Sequence, residues 1–220
     1  MIAGCLCLPA EVLDRVLLIV NNSPILLSDW DAALRCEAFL AGRTPASYTP
    51  AEQQAAFKRL VDQELLVQQI RGYLLPAVPM AEVTSRVQEL RKQVAEADDD
   101  QAWRDALNRA GITEDELRQR LQTEIEIERF IDVRFRSGIR IDDISVNNYY
   151  RDQFLPKLRL AGGKDVPLNS VSGKIREILL QQRMAEQQAA WLQTLREQAE
   201  IRTPGPGFSG ADSVEVTPSK

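Results

Sequence analysis

Hydrophobic residues recur every three or four positions along most of the chain, which is the spacing of one face of an α-helix. This pattern predicts helices over about 28–41, 50–75, 80–95, 101–110, 113–136, 145–155 and 170–198. Two short apolar runs, 15–20 and 25–27, are separated by turn residues and predict a β-hairpin, and 200–202 is a candidate third strand. We therefore predict a mainly α, multi-helix fold with a small β-hairpin.

Capping residues mark where several of these helices begin. Thr49–Glu52 and Thr113–Glu116 each place a threonine three positions before a glutamate, which is the spacing of a capping box. Ser28 and Ser145 are expected to cap two further helices, and Pro156 is expected to break the second of these.

The composition excludes several classes of function. The net charge is −5 and the pI is about 5.0, whereas a nucleic-acid binder needs a basic face. The chain contains no histidine and no glycine-rich phosphate loop, and its acidic clusters lie at predicted helix ends or in loops. We expect neither an enzyme nor a cofactor-binding protein.

The three cysteines favour neither a disulfide framework nor a metal site, so no metal is expected. Cys36 lies in a helical pattern and is predicted to be buried. Residues 1–11 are interpreted as the end of an export signal whose beginning is missing. Two alternatives remain open: a lipobox at 2–5 that would make Cys5 a lipid attachment point, or a cytosolic start without such a signal.

Both ends of the chain carry a family resemblance. Residues 14–29, reading DRVLLIVNNSPILLSD, resemble the start of mature SurA-type periplasmic chaperones, with a strand, an Asn-rich turn, a second strand and a Ser-Asp helix start. The segments 60–66 and 111–118 are similar to the helical N-terminal domain of that family. The segments 178–183, 191–196 and 199–202 are similar to its final helix and strand.

The resemblance covers most of residues 12–203 and implies one domain that is built from both chain ends. The final strand would then join the N-terminal hairpin, and a lone hairpin would be only marginally stable without it. Residues 204–220 are rich in Gly, Pro and polar residues and are predicted to be a disordered tail.

One departure from the family is large. Only about twenty-five residues separate Ser145 from Asn169, which is too few for the parvulin prolyl-isomerase domains that the family usually carries there. Since parvulin sites typically use histidine, we expect a chaperone without isomerase activity.

The resemblance implies a periplasmic holdase that binds unfolded or extended polypeptides, such as outer-membrane protein precursors. The alternative is an assembly or scaffold lipoprotein that binds one specific protein. Candidate peptide-binding residues are apolar and lie on the helix at 80–95 or near Pro156: Val83, Val87, Leu90, Tyr149, Tyr150, Phe154 and Leu155. The Gly162–Gly163 pair would also permit a homodimer formed by swapping of the last helix.

Overall fold

A computed structural model describes residues 14–94 and 99–204, and it confirms the predicted fold class. The protein is mainly α with a small antiparallel sheet. The strands are β1 (Val16–Val20), β2 (Ser23–Leu26) and β3 (Ile201–Arg202). The helices are α1 (Leu27–Leu40), α2 (Pro50–Ile70), α3 (Met80–Gln93), α4 (Asp100–Ala110), α5 (Glu114–Phe135), α6 (Asp143–Tyr149), α7 (Leu155–Leu160) and α8 (Leu168–Gln198).

The sheet joins the two ends of the described chain, in the strand order β2-β1-β3. Both pairings are antiparallel, and Val20 of β1 lies opposite Ile201 of β3. At the hairpin turn, the N–H of Asn21 donates to the carbonyl of Glu200 at 2.8 Å, while the N–H of Glu200 donates to Oδ1 of Asn21 at 3.0 Å. The expectation that a C-terminal strand joins the hairpin is confirmed.

The chain forms two compact units. The first contains the described residues of 1–64, 89–117 and 199–220, and the second contains 65–88 and 118–198. Helices α2, α3 and α5 contribute residues to both. Grouping residues 12–203 into a single domain stays a prediction, and the proposed export signal, Cys5 and the tail from 205 lie outside the described residues.

Aromatic side chains organise the core of the first unit. The rings of Trp30 and Phe57 pack edge-on with their centroids 5.4 Å apart, and those of Phe39 and Trp103 pack in the same way at 5.8 Å. Cys36 is buried in this unit, as predicted.

The core of the second unit is centred on Phe130, which is fully buried. Its buried neighbours in the same cluster are Leu66, Ile131 and Met184. Half-buried apolar residues from 70–75, α5, the segment after α5 and α8 pack around this cluster: Ile70, Leu75, Ile127, Phe135, Ile139, Leu180, Trp191, Leu192 and Leu195.

The two capping boxes form as the sequence predicts. The Oγ1 atoms of Thr49 and Thr113 accept hydrogen bonds from the N–H of Glu52 and Glu116, at 3.3 and 3.1 Å. Each glutamate returns a bond by accepting the backbone N–H of its threonine, at 2.7 and 2.6 Å. Two donors that the first helical turn leaves unpaired are thereby satisfied at each site.

The predicted caps Ser28 and Ser145 were wrong. Ser28 lies one residue inside α1, and its hydroxyl donates to the carboxylate of Asp14, while Asp29 accepts the N–H of Leu26 at 2.9 Å. At α6 the cap is Asp142, whose carboxylate accepts the N–H of Ser145 at 2.7 Å. A carboxylate is favoured at a helix start because it also complements the helix dipole.

Pro156 does not break the helix in which it lies. Residues Tyr150–Phe154 form a π-helical turn in which the N–H of Leu155 donates to the carbonyl of Tyr150, and α7 continues to Leu160. Proline lacks an N–H and its ring crowds the preceding turn. The wider turn provides room for the ring, so the predicted break is replaced by a local widening.

Candidate functional site

Three of the candidate peptide-binding residues lie on α3. Val83 and Val87 belong to the second unit and are only 1% and 3% exposed, whereas Leu90 belongs to the first unit and is half-buried. A client could reach Val83 and Val87 only if α3 moved away from its neighbours. In this conformation the two valines contribute to packing, and their assignment to client binding stays a prediction.

Ion pairs hold the first half of α3 to α5. The guanidinium of Arg86 lies 2.8 Å from the carboxylate of Glu128, and Arg129 of α5 is paired with Glu82 of α3. Because each helix supplies one cation and one anion, the contact is balanced in charge. Because the pairs are partly exposed, they add little to the free energy of unfolding. Their main effect is to orient α3 against α5.

The other candidates, Tyr149, Tyr150, Phe154 and Leu155, are all half-buried. The rings of Tyr150 and Phe154 are stacked with a centroid distance of 5.9 Å and an interplanar angle of 19°. The hydroxyl of Tyr150 donates to the carbonyl of Val166 at 2.5 Å. The structure thus brings two of these aromatics together and gives Tyr150 a role in fixing the segment before α8.

The segment between α7 and α8 contains the Gly162–Gly163 pair. Gly162 has a φ of +76°, and the N–H of Gly163 donates to the carbonyl of Leu158 at 2.9 Å. A Cβ on Gly163 would lie 2.4 Å from Cδ1 of Leu158. These contacts define a tight turn that requires glycine, and a helix-swapped homodimer stays a prediction.

An open cleft of about 480 Å³ lies in the second unit and was not anticipated from the sequence. It is lined by residues from the segment after α2 and from one face of α5: Leu75, Pro76, Glu128, Arg129, Asp132 and Val133. The sequence analysis treated Pro76 only as a helix end. The signal that could have found the site is the apolar run 73–76, which lies between a helix and a second proline at 79.

Exposed apolar side chains lie among the cleft-lining residues or directly before them in the sequence. Leu74 is fully exposed, Val133 is 57% exposed and Tyr73 is 48% exposed. The ring of Tyr73 packs edge-on against Phe130, with a centroid distance of 5.0 Å and an interplanar angle of 78°. Tyr73 is therefore anchored on the core while about half of its surface stays open to a ligand. We call Leu75, Pro76 and Val133, together with Tyr73 and Leu74, the apolar cleft surface.

Each of the three charged residues that line the cleft is paired with an opposite charge. Glu128 and Arg129 take part in the pairs with α3, and Asp132 lies 2.5 Å from Nε of Arg136. The hydrogen bond to Asp132 raises the pKa of Arg136 above its usual value, so the guanidinium stays charged. A ligand in the cleft would meet paired charges and apolar surface, which suits an uncharged apolar segment.

Among residues 14–94 and 99–204, no three Asp, Glu or Cys side chains are grouped so that they could hold a metal ion. Within the same ranges, no helix is both long enough and apolar enough to cross a membrane. The described residues thus form a mainly helical protein whose second unit has an open, partly apolar cleft. No protein-family model matches the chain, and no curated protein is significantly similar to it.

Proposed function

We propose that this chain is a holdase-type chaperone of the periplasm, which binds unfolded or extended polypeptides without catalysing prolyl isomerisation. Outer-membrane protein precursors are the client class that the sequence resemblance suggests. The observation that carries the proposal is the apolar cleft surface, in which Val133 lines an open cleft and is exposed, and in which Tyr73 and Leu74, just before the lining residue Leu75, are exposed as well. Exposed apolar side chains in and next to a cleft are typical of binding sites.

The size of this surface indicates weak, reversible binding. Full burial of one large aliphatic side chain is favourable by about 1.5–3 kcal/mol, whereas association costs roughly 4–15 kcal/mol. A client that inserts two or three apolar side chains would therefore bind loosely at this site alone. Loose binding suits a chaperone that must release its client without ATP.

The sequence resemblance supports the proposal independently of the cleft. It covers most of residues 12–203 and is most specific at the two ends, and it implies a frame in which the last strand pairs with the first hairpin. The pairing of β3 with β1 agrees with that implication. The short connection between α6 and α8 has no room for a parvulin domain, which supports the absence of isomerase activity in the proposal.

The test is suppression of aggregation of an unfolded outer-membrane protein by the wild-type chain and by the double variant Leu74→Ser/Val133→Ser. We expect the wild type to suppress aggregation at a small molar excess and the double variant to lose most of this effect. Leu160→Ser is the matched control, because Leu160 is 89% exposed but does not line the cleft. If the wild type fails to suppress aggregation, the chaperone proposal is wrong.

A prolyl isomerisation assay on a proline-containing peptide should be run on the same preparations. We expect the rate to equal the uncatalysed rate. Turnover above that rate would contradict the part of the proposal that denies isomerase activity, while leaving client binding to be judged by the aggregation assay.

The compactness of the cleft favours a second candidate, an assembly or scaffold protein that binds one specific partner. A cleft of about 480 Å³ accepts only a few side chains, whereas a general chaperone is expected to offer a longer crevice. Binding measurements with several unrelated unfolded polypeptides distinguish the two. Similar weak affinities for all of them support the chaperone, and binding to none of them supports the single-partner protein.

A further inference from the structure

The turn between α7 and α8 places an exposed leucine among cations. Leu160, the last residue of α7, is 89% exposed. Lys157 and Arg159 precede it, Lys164 follows it, and all three cations are exposed. We propose that this turn docks on the surface of an anionic phospholipid bilayer, with the cations against the lipid phosphates and Leu160 inserted among the acyl chains. The cleft takes no part in this contact, so the inference goes beyond client binding and does not depend on it.

The charge of this part of the chain is opposite to that of the whole. Residues 153–174 contain four cations and one acidic residue, so this segment has a net charge of +3. The whole chain has a net charge of −5, and the residues outside the segment therefore carry −8. An anionic surface repels most of such a protein and attracts the basic segment, which orients the turn towards the surface.

Two lysines supply the available charge of the turn. The guanidinium of Arg159 is paired with Asp165, with Nε of Arg159 and Oδ1 of Asp165 2.8 Å apart, so its charge is already balanced. Lys157 and Lys164 lie on the two sides of Leu160 in the sequence. A lysine has a long apolar stem that can follow a neighbouring leucine into the interface while its ammonium stays with the lipid phosphates.

Hydrogen bonds hold the turn in one conformation. The N–H of Gly162 donates to the carbonyl of Arg159 at 3.0 Å, and the N–H of Gly163 donates to the carbonyl of Leu158 at 2.9 Å. With the left-handed conformation of Gly162, these bonds form a Schellman motif at the end of α7. The motif half-buries Leu158 against Gly163 and leaves Leu160 exposed. Docking therefore orders little further backbone, which lowers its entropic cost.

An exposed leucine between lysines fits a bilayer better than other anionic partners. A folded acidic protein would need a cavity that matches the leucine, whereas fluid acyl chains accept it without one. Single-stranded nucleic acid is usually bound by stacking of bases on aromatic rings, and residues 155–164 contain no aromatic residue. A membrane interface places phosphates directly above hydrocarbon, which matches cations beside an apolar side chain.

The small number of contributing residues predicts weak docking. One lysine near an anionic lipid surface strengthens binding by about fivefold. Two lysines and one inserted leucine then give a dissociation constant on the order of 1 mM in lipid. Such a contact concentrates the protein at a membrane and still lets it leave, because stable anchoring usually takes a second signal.

Co-sedimentation of the full chain with phospholipid vesicles tests the docking. We expect the bound fraction to rise with the lipid concentration for vesicles of phosphatidylglycerol and phosphatidylcholine in equal parts. It should fall at high salt, which screens the attraction between lysines and phosphates. Vesicles of phosphatidylcholine alone should bind little protein. Equal binding to both kinds of vesicle, or binding to neither at several times the expected dissociation constant, overturns the proposal.

Variants of the turn test which residues make the contact. Lys157→Gln/Lys164→Gln should weaken binding to the anionic vesicles at least tenfold, and Leu160→Ser should weaken it about tenfold. Lys58→Gln/Lys92→Gln is the matched control, because it removes the same charge at two exposed positions outside the turn. A control that loses as much affinity as the lysine pair of the turn overturns the assignment of the contact to this turn.

Soluble polyglutamate tests whether the turn recognises lipid or only negative charge. We expect polyglutamate to bind the chain much more weakly than anionic vesicles do, because it offers no acyl chains to Leu160. Binding to polyglutamate that equals binding to vesicles, and that Leu160→Ser leaves unchanged, would indicate an acidic polypeptide as the partner and overturns the lipid assignment.

A fluorophore at position 160 tests the insertion. In a background in which Cys5 and Cys7 are replaced by serine and Cys36 stays buried, Leu160→Cys and Leu74→Cys are each labelled with an environment-sensitive dye. We expect anionic vesicles to shift the emission of the dye at 160 to shorter wavelength. The dye at 74, which is equally exposed but outside the turn, should not respond. A dye at 160 that stays unshifted while the protein is bound overturns the insertion geometry.

Failure of this proposal and failure of the proposed function have different signatures. Leu160→Ser should lose vesicle binding and still suppress aggregation, whereas Leu74→Ser/Val133→Ser should lose suppression and still bind vesicles. A wild type that suppresses aggregation and ignores vesicles contradicts the membrane docking alone. A wild type that binds vesicles and suppresses no aggregation contradicts the chaperone function and leaves the docking standing.

Discussion

Replacement of Phe130 by alanine should strongly destabilise the second unit and weaken its cleft. Phe130 is fully buried at the centre of the core cluster, and the cluster can only partly collapse around the space that a lost ring leaves. Truncation of a buried phenylalanine usually costs about 3–5 kcal/mol. The ring also packs against Tyr73 at 5.0 Å and Trp191 at 5.8 Å, and such aromatic contacts contribute about 0.5–1.5 kcal/mol each.

We therefore expect Phe130→Ala to lower the free energy of unfolding by about 4 kcal/mol. Phe130→Leu keeps most of the apolar volume and loses the ring contacts, so it should cost only about 1.5 kcal/mol. Because Tyr73 is anchored on the Phe130 ring, the leucine variant should stay folded and still bind clients more weakly than the wild type.

Urea denaturation followed by far-UV circular dichroism and by tryptophan fluorescence measures these changes. The slope of the free energy against urea should be the same in all variants, which indicates that the same surface is exposed on unfolding. Val133→Ala is the control, because a substitution at this exposed position on the same helix should change stability by less than about 0.5 kcal/mol. A cost below about 1 kcal/mol for Phe130→Ala would refute the assignment of this ring to the centre of the core.

Three further results are expected. A hydrogen bond from Arg43, and to a smaller extent those from Thr49, lower the pKa of Glu52 from 4.5 to about 2. The ionised Glu52 carboxylate should therefore stabilise the fold fully above pH 4.5, and this stabilisation should be lost as the pH falls towards 2. The difference in urea midpoint between the wild type and Glu52→Gln should shrink over that range, and a constant difference would contradict this. Val83→Ala should cost about 2 kcal/mol in urea denaturation because the side chain is buried, and a negligible cost would mean that α3 is not firmly packed. Because the charges in the cleft are paired, the affinity for an apolar peptide that carries one charge should change less than about threefold between low and high salt in a fluorescence-anisotropy titration, whereas a steep decrease would show that unpaired charge in the cleft attracts the peptide.

Much of the fold could be predicted because its signals are local. Thr113 and Glu116 lie three residues apart, and the left-handed conformation of Gly111, with a φ of +69°, ends α4 where the sequence places that end. The errors have different causes. Asp14, fourteen residues away, draws Ser28 into a different hydrogen bond, whereas Asp142, three residues before Ser145, takes the cap of α6 itself. At Pro156 a π-helical turn lets the helix continue.

The candidate site was harder to predict because it depends on which apolar residues stay exposed. Val87 and Val133 are the same residue type in similar helical patterns, yet one is buried and the other lines the cleft. Periodicity identifies an apolar face, and only the packing of neighbouring helices decides whether that face is covered.

The pairing of β1 with β3 has a consequence for the order in which the chain folds. The hydrogen bond between Asn21 and Glu200 joins residues that are 179 positions apart. Such a contact closes a very long loop, and contacts at large sequence separation form late and slowly. The β1–β2 hairpin therefore keeps an open edge until nearly all of the described chain is available to fold, and during that time the edge can pair with strands of other chains.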